Sequence, residues 1–300
     1  MRILITGGTG LLGWWIAREF YEKGFDVYTT FYSKQPVGLE GVSWVHLDLE
    51  SIHSVVKVFK DVKPDIVVHS AAYTDVDGCE IHRDRAYRVN YLGTKALAKL
   101  CRDQGIYMIY ISTDYVFDGV KGMYVEEDIP NPVNFYGLSK LLGEIAVDIL
   151  LENRYCIVRV SGLYGYSPTG KKNFGINVLE KLLHSEEVKA FYDQYLSPTY
   201  VPFLAQNIVK LVEKEIRGVI HIAGERISRY EFALLVAKAL NKDTKLVKKI
   251  SIEELKLLAK RPRDSSLDTS KARSLNIAIP PHEECIKHFI DIYKAMKSNR

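Results

Sequence analysis

Residues Thr6 to Gly13 read TGGTGLLG, and this octapeptide decides the fold. It lies between an apolar run, Arg2 to Thr6, and an amphipathic stretch, Leu12 to Glu22, so it reads as the turn from a first strand into a first helix. Gly7, Gly10 and Gly13 stand in a G-x-x-G-x-x-G spacing, a variant of the dinucleotide fingerprint. Glycine permits the tight turn, lets the backbone approach a pyrophosphate, and allows helix and strand to pack closely. The helix start then offers free N–H groups and the positive end of its dipole to an anion. The expectation is a dinucleotide at this turn; the alternative is a glycine-rich turn without a ligand.

Downstream, short apolar runs alternate with helical patterns. Strands are expected at Asp26 to Phe31, Ser43 to His46, Asp65 to Ser70, Tyr107 to Ser112 and Tyr155 to Val160. Helices are expected at Ser51 to Phe59, Asp84 to Asp103 and Gly137 to Leu151. A run such as Asp65 to His69, DIVVH, is apolar nearly throughout, as in strands covered on both faces. The pattern predicts an α/β protein with a Rossmann-type, doubly wound parallel sheet.

Past Gly165 the pattern loosens. Helices are expected at Asn173 to His184, Pro202 to Lys214, Tyr230 to Leu240, Ile252 to Lys260 and Glu283 to Lys297. Val188 to Tyr192 reads as a short strand, and Gly218 to Ala223 as one that rejoins the first sheet. The expected division is an NAD(P)-binding part, residues 1–165 with 199–225 returning to it, and a smaller C-terminal α/β substrate lobe, residues 166–198 and 226–300.

Three hundred residues supply ample core, and 47% hydrophobic with 26% charged is an ordinary globular composition. The net charge of +4 is too small to argue for nucleic acid. No apolar run approaches the ~20 residues that span a bilayer, and Met1 to Ile5 enters a strand directly, so neither membrane nor secretory leader is expected. Cys79, Cys101, Cys156 and Cys285 are scattered without metal or redox spacing, which suits reduced thiols in the cytoplasm.

The chemistry concentrates near the middle. Tyr136 and Lys140 are four apart on one helical face, downstream of Ser112-Thr113-Asp114 at the end of an expected strand. A neighbouring cation is expected to draw the phenol toward working pH. A strand hydroxyl could hold a carbonyl oxygen while the phenol gives or takes its proton. A second Tyr-x-x-x-Lys, Tyr293 and Lys297, has no such strand before it and reads as structural. The second strand ends in Ser33-Lys34 with no carboxylate for a ribose hydroxyl, which favours NADP(H) over NAD(H). Both residues are equally at home in a solvated loop. Asp48 either accepts from an adenine amino group or caps the following helix.

Together these pieces resemble the extended short-chain dehydrogenase/reductase family across most of the chain. TGGTGLLG, Asp48-Leu49, Ala71-Ala72, Asn90, Ser112-Thr113 and the Tyr136/Lys140 pair stand in family order. The resemblance implies cofactor contacts at Gly7, Thr9, Gly10, Leu11 and Leu12 in the loop, and at Ser33, Lys34, Asp48 and Leu49. It implies further contacts at Ala71, Ala72, Tyr73, Asn90, Ser112, Tyr136 and Lys140. It makes Tyr136 the acid/base, gives Lys140 the nicotinamide ribose, has Thr113 position the substrate oxygen, and gives Asn90 a supporting and proton-relay role.

AAYTDVDGCE (Ala71 to Glu80), STDYVFDG (Ser112 to Gly119), DQYLSPT (Asp193 to Thr199) and RPRDSSLDTSK (Arg261 to Lys271) resemble the dTDP-4-dehydrorhamnose reductases of that family. The implied substrate is a nucleotide-linked 4-keto-6-deoxy sugar, touched by Thr113, Asp114, Tyr115 and Tyr136, with Arg261 and Arg263 on its diphosphate. Tyr115 could instead be an interior aromatic, and the arginines surface charges. Trp15 stands where related reductases carry an acid for a Mg²⁺, so no metal is expected; Gly162 stands where they carry a sugar-facing Trp. The regulatory subunits of methionine adenosyltransferase are similar too, which implies a second possibility: an NADP-binding partner of that enzyme. A homodimer through residues 84–103 and 137–151 is compatible with the family.

Overall fold

The computed structural model describes residues 1–298. Its strands are β1 (Arg2–Thr6), β2 (Asp26–Phe31), β3 (Ser43–His46), β4 (Ile66–His69), β5 (Tyr107–Thr113), β6 (Tyr155–Val160), β7 (Val188–Phe191), β8 (Tyr195–Leu196), β9 (Gly218–His221), β10 (Ile227–Ser228) and β11 (Val247–Ile250). Its helices are α1 (Leu11–Glu22), α2 (Ile52–Val62), α3 (Val76–Ile81), α4 (Arg83–Ala86), α5 (Thr94–Gln104), α6 (Phe135–Leu151), α7 (Phe174–Leu183), α8 (Val201–Glu213), α9 (Arg229–Ala239), α10 (Ser270–Ser274) and α11 (His282–Ser298). Seven strands form one parallel sheet in the order β3-β2-β1-β4-β5-β6-β9. Gly218 opens β9 opposite Cys156 of β6, so the chain does rejoin the first sheet.

Alternation within the strands builds both faces of this sheet. Ile3, Ile5, Ile109 and Ile111 pack on one side with residues of α1 and α8. Leu4, Met108 and Tyr110 pack on the other with α2, α5 and α6. Each such side chain, fully buried, contributes ~1.5–3 kcal/mol. A separate cluster, including Tyr164, Leu179, Val188, Phe232 and Phe289, joins α7, β7, α9 and α11. There β7 pairs with β11, and β8 with β10.

Two expected helices differ from the structure. The one over Asp84 to Asp103 is broken by a π-helical segment, Tyr87–Gly93, between α4 and α5. Asn90 lies in that segment, which fits the frequent placement of π-turns at functional sites. The helix expected over Ile252 to Lys260 is only a 3₁₀ turn, Ile252–Glu254. Tertiary partners take its backbone instead: Asp193 accepts from the Ile252 N–H, Asp77 from the Ala259 N–H, and Asn134 donates to the Lys260 carbonyl. The short strands β8, β10 and β11 and the helices α3 and α10 carry too few residues for periodicity to reveal.

Candidate active site

The strand order reverses between β1 and β4, and ligands of open α/β sheets bind at the carboxyl ends of strands beside such a reversal. A cleft of about 700 Å³ lies there. The glycine loop forms one wall, and Gly13 lets α1 press onto it: a Cβ at that position would lie 2.2 Å from the Gly7 carbonyl oxygen. Gly10 begins α1 without a side-chain cap, leaving the first N–H groups of the helix to an anion. Thr9, Leu11 and Leu12 line the cleft, facing Ala71, Ala72 and Tyr73 from the loop after β4. The Ser112 hydroxyl is buried without a partner among the described residues and also belongs to the lining. A close-packed loop, open helix N–H groups and an orphaned hydroxyl fit a dinucleotide.

At the far end, Ser33, Lys34, Asp48 and Leu49 complete the lining. Ser33 and Lys34 are exposed. Asp48 is not the cap of α2: Ser51 is, accepting from the Ser54 N–H. One Asp48 oxygen accepts from the Glu50 N–H at 2.9 Å. Asn90 is buried outside the cleft and works through the backbone. Its amide oxygen accepts from the Tyr73 N–H at 2.7 Å, and its amide nitrogen donates to the Tyr73 carbonyl and to Ser139 of α6. It thereby ties the loop after β4 to the helix bearing Tyr136 and Lys140.

That helix starts where Asn134 accepts from the Gly137 N–H at 2.8 Å. Gly137 permits close approach to the end of β5, since a Cβ there would lie 2.0 Å from the Tyr115 carbonyl oxygen. Thr113, Tyr136 and Lys140 consequently line one end of the cleft, and Tyr115 sits edge-on to Tyr136 with ring centroids 5.9 Å apart. Lys140 is 3% exposed. Its Nζ donates to the Ile111 carbonyl at 2.8 Å and stands 4.1 Å from the Tyr110 ring centroid. Burial pulls this ammonium down to about 7, with Glu144 opposing.

The phenol departs from expectation. Burial pushes Tyr136 well above the usual tyrosine value, and the neighbouring Thr113 hydroxyl only partly opposes it. In the chain alone, desolvation dominates, and Tyr136 is firmly protonated at neutral pH.

Thr113 also has a more constrained role than a free hydroxyl. It donates to Asp114 Oδ1 at 3.1 Å and accepts from the Tyr115 N–H at 3.2 Å. Asp114 Oδ2 accepts from Ser161 at 2.7 Å and Ser265 at 2.5 Å. Burial raises this carboxyl, with the Ser265, Ser161 and Thr113 hydroxyls opposing. The Thr113 proton is thus directed at Asp114. Asp114, expected on the substrate, has its oxygens engaged by three hydroxyls from three chain segments.

The two arginines expected on a diphosphate do not line the cleft. Arg261 forks onto Asp77 at 2.9 and 3.1 Å, and Arg263 pairs with Glu253 on the surface. The cations that do line it are Lys34, Arg85, Lys140, Lys171, Lys172 and Arg229; of these the sequence reading singles out only Lys34 and Lys140. Gly162 lines the cleft at φ +48°, and a Cβ there would lie 2.3 Å from Leu196 Cδ1, so Leu196 occupies the adjacent space. Trp15 is buried, donating from its indole to the Tyr166 carbonyl at 2.8 Å. Tyr293 bonds Glu180 and lies under the Lys297 ammonium, away from the cleft, as expected for the second spacing.

A parallel sheet with this cleft at its switch point, and a Thr-Tyr-Lys set beside the glycine loop, is the scaffold of the extended short-chain dehydrogenases/reductases. Within that class the chain belongs to the family described as the RmlD substrate binding domain, which matches residues 1–295. It is 34% identical over 285 residues to methionine adenosyltransferase 2 subunit beta of Bos taurus, covering 92% of this chain and 83% of that protein. Among solved structures, a hypothetical dTDP-4-dehydrorhamnose reductase from Sulfolobus tokodaii is 39% identical with a TM-score of 0.81, covering 92% and 94% of the two chains. The dTDP-4-dehydrorhamnose reductase of Bacillus anthracis, solved in complex with NADP, is 33% identical with a TM-score of 0.85, covering 96% and 98%.

Proposed function

We propose that this chain is an NAD(P)H-dependent reductase of a nucleotide-linked 4-keto-6-deoxy sugar, a dTDP-4-dehydrorhamnose reductase that prefers NADP(H) and acts in the cytoplasm. The observation that carries the reading is the continuity of the cleft, from the glycine loop to Thr113, Tyr136 and Lys140. The bound dinucleotide supplies a hydride to the carbonyl carbon. Tyr136, protonated at neutral pH, holds the carbonyl oxygen and gives up its proton as the alkoxide develops. An alkoxide is far more basic than a phenolate, so a phenol with a raised pKa still protonates it. Thr113 stands beside the phenol, and Asp114 holds the Thr113 side chain in place. Lys140 holds the ribose and offsets the phenolate before solvent reprotonates it. Residues 166–198 and 226–300 receive the sugar nucleotide; Lys171, Leu196 and Arg229 reach the cleft from these segments. Leu138, Ile145 and Ile149, exposed at i, i+7 and i+11 on α6, support pairing of two copies through that helix.

The test is the purified protein with NADPH or NADH and a dTDP-4-keto-6-deoxyhexose, followed by loss of nicotinamide absorbance. Tyr136→Phe should lower kcat by ~10²–10⁴-fold with NADPH affinity nearly intact. Wild-type turnover in that variant would reject the assignment. The relation to the bovine protein supports a second reading, an NADP-binding regulatory partner of a methionine adenosyltransferase. Stable association with such an enzyme, together with no turnover of any such sugar, would favour it.

A further inference from the structure

We propose that Arg229, with Lys171 of the same cleft lining, forms the anion site that takes the diphosphate of a nucleotide-linked ligand. The inference rests on the reductase reading for the ligand's class. Arg229 is the first residue of α9, where a helix dipole disfavours a cation. A local rule broken in this way needs compensation, and the direct contacts that supply it are neutral. Arg229 Nε donates to Gln194 Oε1 at 2.6 Å, and the guanidinium lies 4.8 Å from the Phe174 ring centroid. Gln194 is itself 3% exposed and held at the Arg229 N–H through its carbonyl.

No carboxylate forms a salt bridge with Arg229 among the described residues, whereas Arg261 and Arg263 are neutralised by Asp77 and Glu253. The Arg229 charge nevertheless reaches into the catalytic end, lowering both Asp114 and Tyr115 against burial. A half-buried guanidinium, bonded to a neutral amide and in salt-bridge contact with no carboxylate among the described residues, is preorganised for an anion, and its planar fork matches phosphate oxygens. Lys171 lines the same cleft, is exposed, and forms no salt bridge among the described residues; its neighbour Lys172 pairs with Glu180.

The experiment is titration calorimetry of dTDP into the full-length protein, with NADPH titrated separately as a check on the fold. Arg229→Met should weaken dTDP at least about tenfold, as loss of a charge-assisted pair implies, and leave NADPH affinity unchanged. Arg229→Lys should recover only part, because a point charge lacks the fork. Arg263→Ala should bind dTDP as the parent does. Equal dTDP affinity in Arg229→Met, weakening confined to Arg263→Ala, or no dTDP binding by the parent would each overturn the assignment. If Arg229→Met fails to fold, Lys171→Ala carries the test, with a several-fold loss expected and none overturning it. Binding and turnover separate the two proposals. Arg229-dependent dTDP binding without sugar reduction leaves this site standing and removes the reductase reading. Turnover with an unchanged sugar KM in Arg229→Met does the reverse.

Discussion

Lys140→Met should make the cofactor-free protein more stable at acidic pH and leave it inactive. Burial moves this ammonium from a lysine's usual 10.5 to about 7. At ~1.4 kcal/mol for each tenfold, holding the charge inside costs the folded state about 5 kcal/mol while both states are protonated. The sign follows from proton counting. Between about pH 7 and pH 10.5 the unfolded chain binds the proton and the folded chain does not, so stability rises with pH across that window. Below it the full cost remains. The groups around Nζ do not confuse the reading: burial and Lys140 hold His69 at about 3, so it stays neutral, and Tyr110 and Tyr136 stay protonated.

Methionine has a similar reach and no charge. It forfeits the bond to the Ile111 carbonyl and the contact with Tyr110, together about 2 kcal/mol. The variant should therefore gain roughly 3 kcal/mol at about pH 6, and the advantage should vanish near pH 9, where the parent has already shed the charge. Urea denaturation of both proteins across this range, without cofactor, measures the difference directly. A Lys140→Met protein less stable than the parent at about pH 6, or one with the same pH slope, refutes the reasoning. Hydride transfer should be lost in either case, making this a position where stability is traded for function.

Asp114→Asn should lower kcat by roughly tenfold while NADPH affinity holds, since the amide cannot orient the Thr113 proton as a carboxylate does; steady-state kinetics with separate cofactor titration checks it. Lys34→Ala should weaken NADPH by roughly tenfold and leave NADH unchanged, because only the former brings a 2′-phosphate to that end of the cleft; the ratio of the two dissociation constants is the readout.

The sheet and most of the cleft were legible because each depends on local pattern. The TGGTGLLG loop and the alternating apolar runs state their geometry within a few residues, and Gly13 has a single steric reason to be glycine. Failures fall where a property depends on what is distant in sequence. The phenol of Tyr136 is governed by burial under the assembled cleft rather than by a lysine one turn away. Asp114 is occupied by Ser161 and Ser265, which no spacing links to it. Arg261-Pro-Arg263 looked like a phosphate fork because the sequence displays cations without their counter-ions. Asp77, 184 positions from Arg261, settles that side chain's allegiance. Arg229 is the converse: an inconspicuous cation inside an ordinary capping box, Ser228 to Glu231, bonded to the neutral Gln194 and in no salt bridge among the described residues. For charged groups, then, residue type says what a site could bind, and only the list of satisfied partners says which of them remains available to bind it.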